Sequence, residues 1–148
     1  MKIAAITRDG VIGVDAYTRH GVFVTLHQVD VAFEDGGFLR IPSGFVFDGA
    51  SIPPPARSLI QSLTLAGSVA FLLHDYAYAD GADWIIPSGS RITISRQRAD
   101  WIALALCTWL GLDVDDQLEI YYALRIGGSS SYRKLPVIRT LAQVSQGV

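Results

Sequence analysis

Three consecutive prolines, Pro53 to Pro55, constrain this chain more than any other feature. Proline has no N–H for a ladder or a helix and holds φ fixed, so no paired strand or helix interior runs through them. They stand in DGASIPPPAR, residues 48–57, where Gly49 permits backbone angles closed to other residues. The segments before and after must therefore be separate elements, and the residue types change across the break. Before it, GVFVTLHQVDVAF (21–33) is rich in β-branched and aromatic residues and predicts a strand from Val22. Glu34-Asp35-Gly36-Gly37 predicts a hairpin turn, Phe38–Ile41 the return strand, and Phe45–Phe47 a further short extended piece after the Pro42-Ser43-Gly44 interruption.

After the prolines the pattern is helical. A short helix is expected over 56–63 and a longer one over 65–79, ending near Asp80-Gly81. Residues 81–94, GADWIIPSGSRITI, contain Pro87 and Gly89 and predict a long connection. Its Trp84, Ile85 and Ile86 would fold back as a flap or meet a partner. Ser95 is placed to cap a helix over 96–110 stopped by Gly111, and Asp113 or Asp115 to cap another running to Arg125 and ending at Gly127-Gly128. GGSSSYRK (127–134) predicts a flexible linker, and LPVIRTLAQV (135–144) a terminal helix with Leu135, Ile138 and Leu141 spaced by three. The expected class is α+β: a small N-terminal antiparallel β-sheet followed by a helical half of three to four helices. Residues 1–128 would form one domain, and 129–148 a linker and C-terminal helix.

The totals narrow the function. The 148 residues suit one domain with a real core, and a net charge of −2 gives no reason to expect nucleic-acid binding. Cys107 is the single cysteine, so neither an internal disulfide nor a cysteine-rich zinc site can form. It stands in WIALALCTWLGL and reads as a small buried hydrophobe. The apolar run Trp101 to Leu112 is too short to span a bilayer, and MKIAAITRDG reaches charged residues too soon for a signal peptide. The expectation is a product of the cytoplasm.

FLLHDYAYAD (71–80) holds the candidate site. On a helix, His74 and Tyr78 lie one turn apart and share a face, with Asp75 about a quarter-turn away. Asp100, in SRQRADW, lies in the first turns of the next long helix, and consecutive helices are usually neighbours. A carboxylate against an imidazole fixes its tautomer and raises its basicity, as a general base requires. Asp48 and Ser51 on the stiff loop would complete the group. Ser51, His74 and Asp100 have the composition of a catalytic triad, but no G-x-S-x-G elbow is present. The same residues fit a buried polar pair that fixes helix register, with Ser51 as a local turn former and Tyr76 and Tyr78 as packing residues. Arg96 and Arg98 at a helix N-terminus call for a negative partner: Asp75, Asp100 or an external anion. Tyr121 and Arg125, one turn apart, would brace the helix pair. His20 and His27 have no acidic partner at motif spacing and read as surface or strand residues.

IPSGFVFDGASIP (41–53), LLHDYAY (72–78), SRQRADW (95–101) and YYALRIGG (121–128), in that order, resemble the domain-of-unknown-function 1353 family of phage, prophage and bacterial proteins. The resemblance covers roughly residues 20 to 128 and marks Asp48, Ser51, Pro53, His74, Asp75, Arg96 and Asp100 as positions matching its motifs. Gly49 stands where the family usually has an aromatic residue, and the connection 79–94 is longer than usual. The resemblance implies phage or prophage origin and transfers no activity. His-Asp-x-x-Tyr also resembles the catalytic helix of secreted phospholipases of the A2 class, which implies His74 as base, Asp75 as calcium ligand and Asp100 as orienting carboxylate. The cysteines and glycine-rich calcium loop of those enzymes are missing here.

Two functions follow as expectations. One is a small hydrolase-like protein, with His74 as general base oriented by Asp100, Ser51 contributing to catalysis, and Asp48, Tyr78 and Arg96 binding substrate. Asp75, with Asp48, would hold an optional divalent cation such as calcium. The other is a non-enzymatic virion or morphogenesis component, tail-associated, in which the cluster is structural. Its partners would be other phage structural proteins or further copies of itself.

Overall fold

The computed structural model describes residues 1–6, 12–14, 23–25, 27–47, 65–133 and 137. Within them lie eight strands and three helices: β1 (Ile3–Ile6), β2 (Ile12–Val14), β3 (Phe23–Thr25), β4 (Val29–Phe33), β5 (Phe38–Ile41), β6 (Val46–Phe47), α1 (Leu65–Tyr78), β7 (Asp83–Ile85), β8 (Arg91–Thr93), α2 (Arg96–Trp109) and α3 (Val114–Gly127). The class is α+β. One antiparallel sheet has the order β1-β4-β5-β7-β8, and a smaller one the order β2-β3-β6.

The β4–β5 hairpin forms where the sequence places it. Val29, Val31 and Phe33 alternate inward along β4, opposite Ile41 and Leu39 of β5. On the outer face Asp30 pairs with Arg40 at 3.1 Å. Gly36 turns the chain at φ +88°, and the Gly37 amide donates to Asp35 Oδ1 at 2.9 Å. The expected single strand over 21–33 is instead two, broken by a bend at His27, and β3 and β4 join different sheets. Thr25 explains the break. Its hydroxyl donates to the Pro42 carbonyl at 2.8 Å and accepts from the Phe45 amide at 2.9 Å, which ties β3 to the β5–β6 link.

The expected flap at 84–86 is corrected. Residues 83–93 form a second hairpin, β7–β8, and β7 extends the main sheet by pairing with β5, Trp84 opposite Leu39. Two strands of this sheet therefore come after α1. The apolar run is explained by burial: Trp84 is 2% exposed, with its ring 4.6 Å from that of Phe33. Gly37 makes the space, since a Cβ there would overlap the indole. Arg98 lies 5.1 Å above the Trp84 ring.

The helices start and stop on local chemistry. Ser95 caps α2 by accepting from the Arg98 amide at 3.1 Å, and Asp113 caps α3 by accepting from the Asp116 amide at 2.9 Å. Gly111, at φ +82°, turns the chain between them. α1 packs on α2 and α2 on α3, while β6 meets α1 and β1 meets α2. The core runs continuously from Val31, Leu39 and Phe47 through Leu72 and Leu73 to Ile102, Leu106 and Leu124. After α3 the chain returns to α1, where the Arg133 amide donates to the Tyr78 carbonyl at 2.6 Å and the Val137 amide to the Asp80 carbonyl at 2.9 Å. The expected helices over 56–63 and 135–144 lie outside the described residues, apart from Val137. No helix among the described residues is long and apolar enough to cross a membrane.

Candidate functional site

Asp100 is the centre of the site. It stands in the first turns of α2, is 0% exposed, and faces both neighbouring helices. Its Oδ1 accepts from the Tyr78 hydroxyl of α1 at 2.6 Å, and its Oδ2 from Arg125 Nη1 of α3 at 2.8 Å. His74 Nε2 stands 3.5 Å from Oδ1, long for a hydrogen bond and close for an electrostatic contact. The His74 and Tyr78 rings meet at a tilt of 38°, 4.1 Å apart at the centroids, as their one-turn spacing on the helix allows. The predicted approach of Asp100 to His74 is thus present, and Tyr78 shares the same carboxylate oxygen.

Burial by itself pushes the Asp100 carboxyl up. The donors on His74, Tyr78 and Arg125 outweigh it and hold the group below the ordinary carboxylate value. Burial and the adjacent carboxylate raise the Tyr78 hydroxyl far above the usual phenol value, so Tyr78 remains a donor. The Arg125 guanidinium balances the Asp100 charge. Arg125 is also the least buried member, with 31% of its side chain exposed. The result is a charge-balanced polar cluster joining three helices, with His74 and Tyr78 each 1% exposed.

The surroundings are shaped to this cluster. A Cβ on Gly128 would collide with the Tyr78 hydroxyl and the Leu124 carbonyl, so only glycine lets the phenol reach Asp100. The Tyr132 ring meets that of Tyr78 edge-on at 5.6 Å, and its hydroxyl donates to the Ile94 carbonyl at 2.6 Å. Arg96 Nη1 donates to the Arg125 carbonyl at 3.3 Å, so this expected substrate ligand lies at the end of α3. Sequence reasoning missed the Asp100 partnership of Arg125 and the roles of Gly128 and Tyr132. The one-turn spacing of Tyr121 and Arg125 was the available signal.

Asp75 is buried on α1, while Asp48 and Ser51 lie outside the described residues. Among the described residues no group of three or more His, Cys, Asp or Glu could hold a metal ion. His27 is exposed, and His20 lies outside the described residues. A cleft of about 820 Å³ opens elsewhere, between Lys2, Glu34 and Asp35 on one side and Trp101, Leu104 and Gln117 on the other. Trp101 follows Asp100 directly, and the helix turns the two side chains to different faces.

The model of a family described as a protein of unknown function, DUF1353, matches residues 24–124. No curated protein and no solved structure matches the chain.

Proposed function

The chain belongs to the DUF1353 family of proteins of unknown function, and from that premise we propose that it is a non-catalytic assembly component whose His74–Asp100 cluster holds the helices in register. The saturation of Asp100 carries this reading: the carboxylate is 0% exposed and already engages Tyr78, Arg125 and His74. A catalytic carboxylate–imidazole pair needs one face open to a substrate, whereas a charge-balanced, buried cluster is suited to fixing geometry. The family resemblance adds a phage or prophage setting, so the protein would be made in the host cytoplasm and built into a particle, such as its tail.

The thermal midpoints of wild type and His74→Asn, each with and without calcium, test this. Loss of a packed, buried polar side chain is expected to cost about 2 kcal/mol, a fall of roughly 4–8 °C, with no response to calcium in either protein. A neutral or stabilising His74→Asn together with a calcium-dependent rise in the wild type would overturn the reading. Phage particles should carry the protein in fixed copy number, and its absence from them would argue against packaging.

The second reading is the hydrolase, favoured by one observation: His74 Nε2 faces the Asp100 carboxylate at 3.5 Å. In it His74 is the general base and Asp100 the orienting group. The His74→Asn arm of the same experiment separates the two: a neutral or stabilising substitution favours the hydrolase, and a costly one the structural cluster.

A further inference from the structure

We propose that the cleft between α2 and the β4–β5 turn binds a short, neutral oligosaccharide. Its volume of about 820 Å³ falls within the roughly 300–1,000 Å³ typical of ligand clefts. One wall is a face of α2, where Trp101, Leu104 and Thr108 recur at the spacing that stacks side chains along a helix. The facing wall carries Lys2, Glu34 and Asp35, tied together where the Glu34 amide donates to the Lys2 carbonyl at 2.9 Å. α3 contributes Gln117.

The lining selects the ligand. Trp101 is 42% exposed, although its neighbours Asp100 and Ile102 are both buried. Among the described residues its indole meets no other ring. A bare indole offers a flat, electron-rich face. The C–H side of a pyranose ring is apolar and weakly positive, and it stacks on such a face. Polar groups stand around this platform. Lys2 and Glu34 line the same cleft yet form no ion pair with each other, so both keep their hydrogen-bonding capacity for a ligand. Asp35 Oδ1 accepts from the Gly37 amide at 2.9 Å, which fixes the carboxylate. The Gln117 amide is held as well. Its Nε2 donates to the Leu112 carbonyl at 2.7 Å and its Oε1 accepts from the Thr108 hydroxyl at 3.0 Å, which leaves one N–H of the amide for a ligand. Groups fixed in advance lose little entropy on binding. A sugar hydroxyl both donates and accepts, so one ligand serves carboxylate, ammonium and amide together. Other chemistries fit less well. Two carboxylates against one ammonium oppose a phosphate-bearing ligand, Lys2 opposes a cation seated over the indole, and the charged rim opposes an acyl chain. The inference goes beyond the assembly reading and does not rest on it, since Trp101 and Asp100 lie on different faces of α2.

Isothermal titration calorimetry of the full chain with maltotriose, cellotriose and triacetylchitotriose tests the proposal. At least one of these should bind, with a Kd of roughly 0.1–1 mM. Trp101→Ala should weaken that binding on the order of tenfold or more and leave circular dichroism unchanged. Trp109 is exposed on the same helix but outside the cleft, so Trp109→Ala should bind as the wild type does. Absence of binding by all three sugars up to about 10 mM overturns the proposal. So does binding that Trp101→Ala leaves intact, or that Trp109→Ala weakens as much. Tighter binding of tetramethylammonium or of inorganic phosphate than of any of the sugars would assign the cleft to another chemistry and also overturn it.

Discussion

Replacing Tyr78 by Phe removes one hydroxyl and little else, so it isolates a single link of the buried cluster. The deleted O–H donates to Asp100 Oδ1 at 2.6 Å, and both side chains are 1% exposed or less. A hydrogen bond to a charged group is worth about 1.5–3 kcal/mol, and this one is buried on both sides. A loss of about 2 kcal/mol is expected at pH 7, or roughly 4–8 °C in the thermal midpoint. The effect should depend on pH in one direction. The Asp100 carboxyl sits below its ordinary value in the folded protein. The stability it contributes is therefore fully present above the unfolded carboxyl value of about 3.9 and is lost as pH falls through the lower folded value. Tyr78→Phe removes one of the donors that depress that value. The stability gap between wild type and variant should be constant from about pH 5 to pH 8 and narrow under strong acid, where Asp100 is neutral. Urea unfolding followed by circular dichroism across this range measures it. A gap under about 0.5 kcal/mol at pH 7, or one that widens on acidification, would refute the account of a charge-assisted link.

Trp84→Ala should cost about 3–5 kcal/mol in urea unfolding, because the indole belongs to the core; a flap residue would cost under about 0.5 kcal/mol. Gly128→Ala should destabilise by about 1–3 kcal/mol through overlap with the Tyr78 hydroxyl, and part of the loss should be recovered in a Tyr78→Phe background, as a double-mutant cycle would record. Burial pushes the Cys107 thiol up to about 11, so a thiol-specific reagent at pH 8 should modify it only as fast as the protein unfolds, and prompt labelling of the native protein would contradict its burial.

What could be read from the sequence was local. Ser95 and Asp113 announce their helices because a cap is made by a side chain and an amide three residues on. Gly36 and Gly37 announce the β4–β5 turn for the same reason. The β7–β8 hairpin was not legible. Its strands have three residues each, too few for a period to register, and β7 finds its partner more than forty residues earlier in β5. Burial of Trp84 depends on the gap left by Gly37, which nothing near Trp84 announces. In the site, His74 and Tyr78 share a face by helical spacing, and Asp100 follows from adjacent helices. Arg125 lies twenty-five residues beyond Asp100, so its ion pair depends on how α3 packs on α2. The DGASIP residues Asp48 and Ser51 fall outside the described residues, and their part in the site is an expectation from sequence alone.

The return of the chain to α1 has a consequence for synthesis. The Tyr78 and Asp80 carbonyls receive their donors from Arg133 and Val137, and Tyr132 closes over the Tyr78 ring. A ribosome making about 5–20 residues per second needs roughly 3–12 s to travel from Tyr78 to Val137. Through that interval the nascent chain carries its HDYAY helix without the groups that finish it. The centre of the protein is therefore completed by a stretch made more than fifty residues after it, like a bag closed by its drawstring. A message cut short after α3 would yield a chain with all its named helices and a loosened heart.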